Sequence, residues 1–164
     1  MINAAAIDKI ERHVSDAVAK GAKIVTADRA IASGSNYVAP LVLTGATTDM
    51  ILAQEETFGP VAPLFRFDTE EEALEIANGT PFGLASYFYT ESMSRAWRVG
   101  EALEFGMVGL NTGAISMEVA PFGGIKQSGL GREGGQVGIE EYLELKPFIW
   151  AGCAEPAKPG RLNT

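Results

Sequence analysis

The chain has 164 residues, 46% hydrophobic and 21% charged, a mix that suits one globular domain able to bury a core. A net charge of −8 and a pI near 4.7 argue against nucleic acid as a partner, because an acidic surface repels phosphate. No apolar run reaches the length a membrane span needs, and the first residues lack the basic and apolar regions of a signal peptide, so a cytoplasmic protein is expected.

Residues 4–20 place Ile7, Ile10, Val14, Ala17 and Val18 at helical spacing, with Gly21 as the expected C-terminal cap. A short strand is expected over 23–27. An extended segment over 36–45 is interrupted by Pro40. "EETFGPVAPLFRF" (55–67) also reads as extended. Residues 68–80 form the clearest helix: Thr69 and Glu72 make a capping box, three glutamates sit at the positive end of the dipole, and Asn78-Gly79 ends it. A strand at 84–90 precedes a helix at 91–103 with Met93, Ala96, Trp97 and Leu103 on one side. A buried strand (106–113), a Gly-rich loop (113–131), a helix (137–145), a terminal strand (146–152) and a disordered polar tail (153–164) complete the expectation. Strands alternating with helices argue for an α/β fold with parallel pairs.

Few residues here carry chemistry by themselves. Cys153 is the only cysteine and His13 the only histidine, so neither a disulfide within the chain nor a Cys/His zinc site can be built. "SGLGREGG" (128–135) contains G-x-G-x-x-G, the dinucleotide-binding pattern. That pattern works when a β-strand feeds its first glycine. Here Pro121, Gly123 and Gly124 stand in the preceding stretch, without an apolar run, and the reading favoured is a loop that starts a helix near Glu133.

"APFGGIKQSGLGREGGQVGIEEYLELK" (120–146) read together with "EETFGP" (55–60) resembles the aldehyde dehydrogenase superfamily. "FGLASYFYT" and "NTGAIS" resemble its succinate-semialdehyde branch. The resemblance covers residues 1–147 and implies an incomplete C-terminal part of the catalytic domain: an open, largely parallel sheet flanked by helices, with 148–164 as terminal strand and tail. It implies NAD or NADP as cofactor and a semialdehyde as substrate, the aldehyde being captured by a cysteine thiolate and its hydride passed to the nicotinamide.

Four positions carry over. Glu56 resembles the carboxylate that accepts the nicotinamide-ribose hydroxyls, and Phe58 the ring beside the nicotinamide. Phe122 resembles a substrate-pocket wall, and Ser116 the hydroxyl that fixes the substrate's distal carboxylate. Arg132 and Glu144 are candidates for a structural ion pair.

No residue is assigned a catalytic or metal-binding role. In the family the nucleophilic cysteine, the general-base glutamate, the oxyanion asparagine and the Rossmann domain lie upstream of the matched segment. Cys153 lies past the last motif, with no cationic neighbour in sequence to lower its pKa. The chain is therefore expected to be inactive alone and prone to aggregate as a monomer, completed by a homo-oligomer or by the N-terminal half. The competing expectation is a non-enzymatic module, or relic, docking on a full-length dehydrogenase.

Overall fold

The computed structural model describes residues 1–26 and 36–152. The expected polar tail, Cys153 and the last residue of the 23–27 strand lie outside them. Helix α1 (Ala4–Ala19) starts where the Asn3 side chain accepts from the Ala6 N–H at 3.0 Å. It ends at Gly21, whose φ of 103° suits glycine. There the Gly21 N–H donates to the Val18 carbonyl and the Ala22 N–H to that of Ala17, closing a Schellman motif as the sequence foretold.

Strand β1 (Lys23–Ile24) runs antiparallel to β2 (Leu41–Ala46), which begins just past Pro40 and pairs in parallel with β3 (Val61–Phe65). In β2 the buried positions are Leu41, Leu43 and then Ala46. The step of three comes from a bulge at Gly45, whose φ is 71°. Without it the alternation would turn Ala46 out of the core. Ala17, Ala22, Leu43, Ala46 and Met50 form that core, with Leu52, Val61 and Phe65 against it. A one-turn helix, α2 (Ile51–Gln54), not anticipated from the sequence, leads from β2 toward β3.

Helix α3 (Glu70–Asn78) is capped by Thr69, which accepts from the Glu72 N–H at 3.2 Å. The Glu72 carboxylate reaches back to the Asp68 N–H at 2.8 Å, one residue before its usual capping-box partner. Strand β4 (Phe82–Gly83) pairs antiparallel with β7 (Ile125–Lys126). Strand β5 (Ala85–Phe88), helix α4 (Met93–Ala102) and strand β6 (Met107–Leu110) form a βαβ unit, with Ala85 opposite Met107 and Phe88 opposite Leu110. Both parallel pairs agree with the α/β expectation, but they belong to separate small sheets: β1-β2-β3, β4-β7 and β5-β6.

Three expectations are corrected. In α4, Met93 and Trp97 are exposed at 72% and 67%. The stripe turned inward is Ala96, Val99, Gly100 and Leu103, again at helical spacing. The expected helix at 137–145 is a 3-10 helix over Val137–Tyr142. The expected strand at 146–152 does not form, and these residues pair with no strand among the described residues. A strand exists only through its neighbour's hydrogen bonds, and Phe148 and Ile149 stand 79% and 89% exposed. Among the described residues no helix is long and apolar enough to cross a membrane.

Candidate cofactor-facing site

The loop Glu55–Pro60 joins α2 to β3 and lies along α1. Its residues divide into two sets. Glu55, Thr57 and Gly59 face the helix. The Arg12 guanidinium grips the Glu55 carboxylate as a fork, Nη2 to Oε2 at 2.6 Å and Nη1 to Oε1 at 3.3 Å. His13 is fully buried; its Nδ1 lies 3.0 Å from the Thr57 hydroxyl and its Nε2 3.3 Å from Glu55 Oε2. Arg12 Nη2 lies 3.4 Å from the same Nε2, so the ring meets Thr57 at one nitrogen and the Arg12–Glu55 pair at the other. Gly59 lies so close to Ile10 that a Cβ there would come 2.6 Å from Cδ1.

The other set faces outward. Glu56 is exposed, and its carboxylate has no hydrogen bond or ion pair among the described residues. Phe58 is 80% exposed, and its φ of 49° puts a bulky residue in the left-handed region. That conformation costs about 1–3 kcal/mol and persists where the surroundings hold it.

The same seam continues toward the C-terminal end of α1, where Asp16 accepts from the Ile51 N–H at 2.8 Å and so caps α2 from outside. Lys20 lies 2.9 Å from the Asp16 carboxylate. The Ile51 hydrogen bond, then Lys20, holds the Asp16 carboxyl below its ordinary range. Arg12, then His13, does the same for Glu55 by hydrogen bonding to its charged form.

Glu56 borders a cavity of about 500 Å³ whose walls include Phe82, Leu84, Phe105 and Ser128. Phe122 borders a second, of about 370 Å³. Leu84 and Ser128 line both, so the two motifs meet through a shared wall. Ser128 is fixed there by accepting from the Gly83 N–H at 3.0 Å. Phe122 is held by a two-way backbone bridge to Glu133, at 2.7 and 2.8 Å. Ser116 is exposed and lines neither cavity. Its loop is anchored upstream by Asn111, whose side chain pairs with both backbone groups of Thr90 at 2.8 Å.

The G-x-G-x-x-G segment forms no phosphate cradle. Gly129 follows the two-residue strand β7, and Glu133 enters the bridge to Phe122 rather than a helix. The Arg132 N–H, which an anion would need, donates to Glu141 Oε1 at 3.2 Å. Arg132 and Glu144 form no ion pair among the described residues. The guanidinium donates instead to the carbonyls of Gly124 and Gly131, at 2.7 and 2.8 Å, while Glu144 is exposed. Sequence reasoning missed the α1 seam, because a lone histidine signals nothing until its neighbours are known. It also assigned no role to Leu84 and Ser128, although both stand inside quoted motifs, "FGLASYFYT" and "SGLGREGG".

Helices and small open sheets in this order make a partial α/β domain, and the comparisons with known proteins show its family. The chain belongs to the aldehyde dehydrogenase family, whose profile matches residues 1–148. It is 51% identical over 152 residues to succinate semialdehyde dehydrogenase of Acinetobacter baylyi, covering 93% of this chain and 32% of that protein. It is 57% identical over 152 residues to 3-sulfolactaldehyde dehydrogenase of Pseudomonas putida, covering 93% of this chain and 31% of that one. The crystal structure of succinate-semialdehyde dehydrogenase from Burkholderia pseudomallei superposes with a TM-score of 0.82 at 59% identity, covering 87% of this chain and 30% of that chain. The chain thus spans about a third of the length of the curated relatives it matches. Members of the family use NAD(P) and act on small aldehydes.

Proposed function

We propose that residues 1–147 are the C-terminal part of the catalytic domain of a cytoplasmic, NAD(P)-dependent semialdehyde dehydrogenase of the succinate-semialdehyde type, with 148–164 a separate terminal segment. The observation that carries this reading is the pinned loop, which leaves Glu56 and Phe58 exposed and the Glu56 carboxylate without a partner among the described residues.

A free carboxylate of this kind accepts two vicinal hydroxyls at once, which fits the ribose of a nicotinamide nucleotide. Phe58 would lie beside the nicotinamide and Phe122 would wall the aldehyde pocket. Ser116 would donate to the far end of the substrate. The two dehydrogenases named above act on aldehydes that bear a distal anionic group, a carboxylate in one and a sulfonate in the other. That shared feature supports an anionic semialdehyde as substrate. When bound, NAD(P) takes the hydride released as the aldehyde is oxidised. The thiol and the base of that reaction come from outside these 164 residues, either in the same polypeptide or in a partner.

Two measurements test the proposal. The purified 164-residue chain should not turn over succinate semialdehyde with NAD or NADP; turnover would refute its dependence on outside residues. In the full-length enzyme, Glu56→Gln should raise KM for the dinucleotide by about tenfold, the loss of a charged acceptor, and leave KM for the aldehyde unchanged. An unchanged dinucleotide KM would remove Glu56 from the site.

A further inference from the structure

The purpose of a fully buried histidine on α1 follows from the alternation of the loop it touches. Glu55, Thr57 and Gly59 are the residues that meet α1, and Glu56 and Phe58 are the residues that leave it. Because the contacts alternate residue by residue, a shift of the loop by one residue would bring Glu56 and Phe58 against α1 in their place. An apolar side chain at position 13 would fill the same volume but would tolerate the slip, because dispersion has no direction. The imidazole does not tolerate it. Its two nitrogens point at two different loop residues, 3.0 Å from the Thr57 hydroxyl and 3.3 Å from the Glu55 carboxylate, and a slipped loop would leave both unpaired in a buried site. Arg12, the next residue on the helix, holds the opposite edge of the same carboxylate.

We propose that His13 is a positioning residue: through Thr57 and Glu55 it fixes the register of the loop and so aims Glu56 and Phe58 at the dinucleotide. This rests on the reading of Glu56 and Phe58 given above. The proposal makes His13 specific to the ribose and nicotinamide end of the ligand. The ring's contacts are Thr57 and Glu55 on the loop and Arg12 beside it on α1, and Arg12 in turn holds Glu55, so its influence runs into this loop.

The test is carried out in the full-length enzyme, with NADH or NADPH and ADP as the two probes of affinity. ADP carries the adenosine and phosphates but neither the nicotinamide nor its ribose. Thr57→Val removes the hydroxyl and keeps the shape; His13→Gln keeps a polar group at the wrong geometry. Each should weaken binding of the reduced dinucleotide by about five- to tenfold, the effect of one lost directional bond, while the ADP affinity stays within about twofold. Thr57→Ser should restore the dinucleotide affinity.

If Glu56→Gln weakens the dinucleotide but Thr57→Val and His13→Gln do not, the positioning role is wrong and the cofactor reading stands. If Glu56→Gln itself has no effect, the cofactor reading is wrong and the positioning role falls with it. Equal losses for ADP and dinucleotide would show general destabilisation and overturn the proposal. Failure of Thr57→Ser to rescue Thr57→Val would do so as well.

Discussion

Replacing Gly59 by alanine probes how tightly α1 holds the loop. The new Cβ would stand 2.6 Å from Ile10 Cδ1 and 3.0 Å from Cγ1, where ordinary contact begins near 3.4 Å. Ile10 is fully buried, so its terminal methyl would have to retreat by most of an ångström into filled space. Overpacking of this kind costs about 1–3 kcal/mol. The substitution also stiffens the unfolded chain, a gain of about 0.4–1 kcal/mol where the native φ allows it, and Gly59 lies outside the left-handed region. The net expectation is about 1–2 kcal/mol of destabilisation. Ile10→Val deletes the clashing Cδ1 and by itself should cost about 0.5–1.5 kcal/mol. In the double variant the alanine occupies the space the methyl left. Its loss should then fall short of the summed single losses by about 1 kcal/mol. Urea unfolding of the four proteins, followed by far-ultraviolet circular dichroism, measures the cycle. Additivity within about 0.5 kcal/mol would mean that Gly59 and Ile10 do not touch, and the α1 seam would have to be redrawn.

Other expectations use the second half of the chain. Glu70 takes Arg98 at 2.5 Å and Arg95 at 2.9 Å, tying α3 to α4, and these partners, Arg98 first, lower its carboxyl from 4.5 to about 2. A carboxyl with a depressed folded pKa stabilises above its unfolded value and loses that contribution as pH falls through the folded one. The stability difference between the native chain and Glu70→Gln should therefore be full at pH 7 and shrink between about pH 4.5 and 2; a difference independent of pH would show that the ion pairs do not matter. Gly106→Ala should be more damaging than Gly59→Ala, because its Cβ would lie 2.0 Å from the Gly123 carbonyl oxygen, and backbone cannot step aside as a side chain can. Denaturant midpoints rank the two, and the reverse order would contradict the close approach of β6 to the Phe122 loop.

Much of the local architecture could be read from sequence because its causes are local. Asn78-Gly79, the Thr69 cap and Gly21 act within one turn of their own helices, and each does what its chemistry dictates. The βαβ unit follows from alternating patterns over a short span. The motif "EETFGP" pointed to Glu56 and Phe58, and the structure leaves both side chains exposed.

What depended on distant residues stayed hidden. The buried face of α4 is Val99 rather than Trp97, since a helix carries more than one periodic stripe and only its neighbour selects between them. The last strand failed to form because pairing belongs to two segments, and the sequence of one cannot supply the other. The partners of His13 are 42 and 44 residues away. The amino-acid sequence determined the family and singled out Glu56 and Phe58 on their loop. Only the tertiary structure decided what holds them there, because a directional bond between remote side chains leaves no periodic trace along the chain.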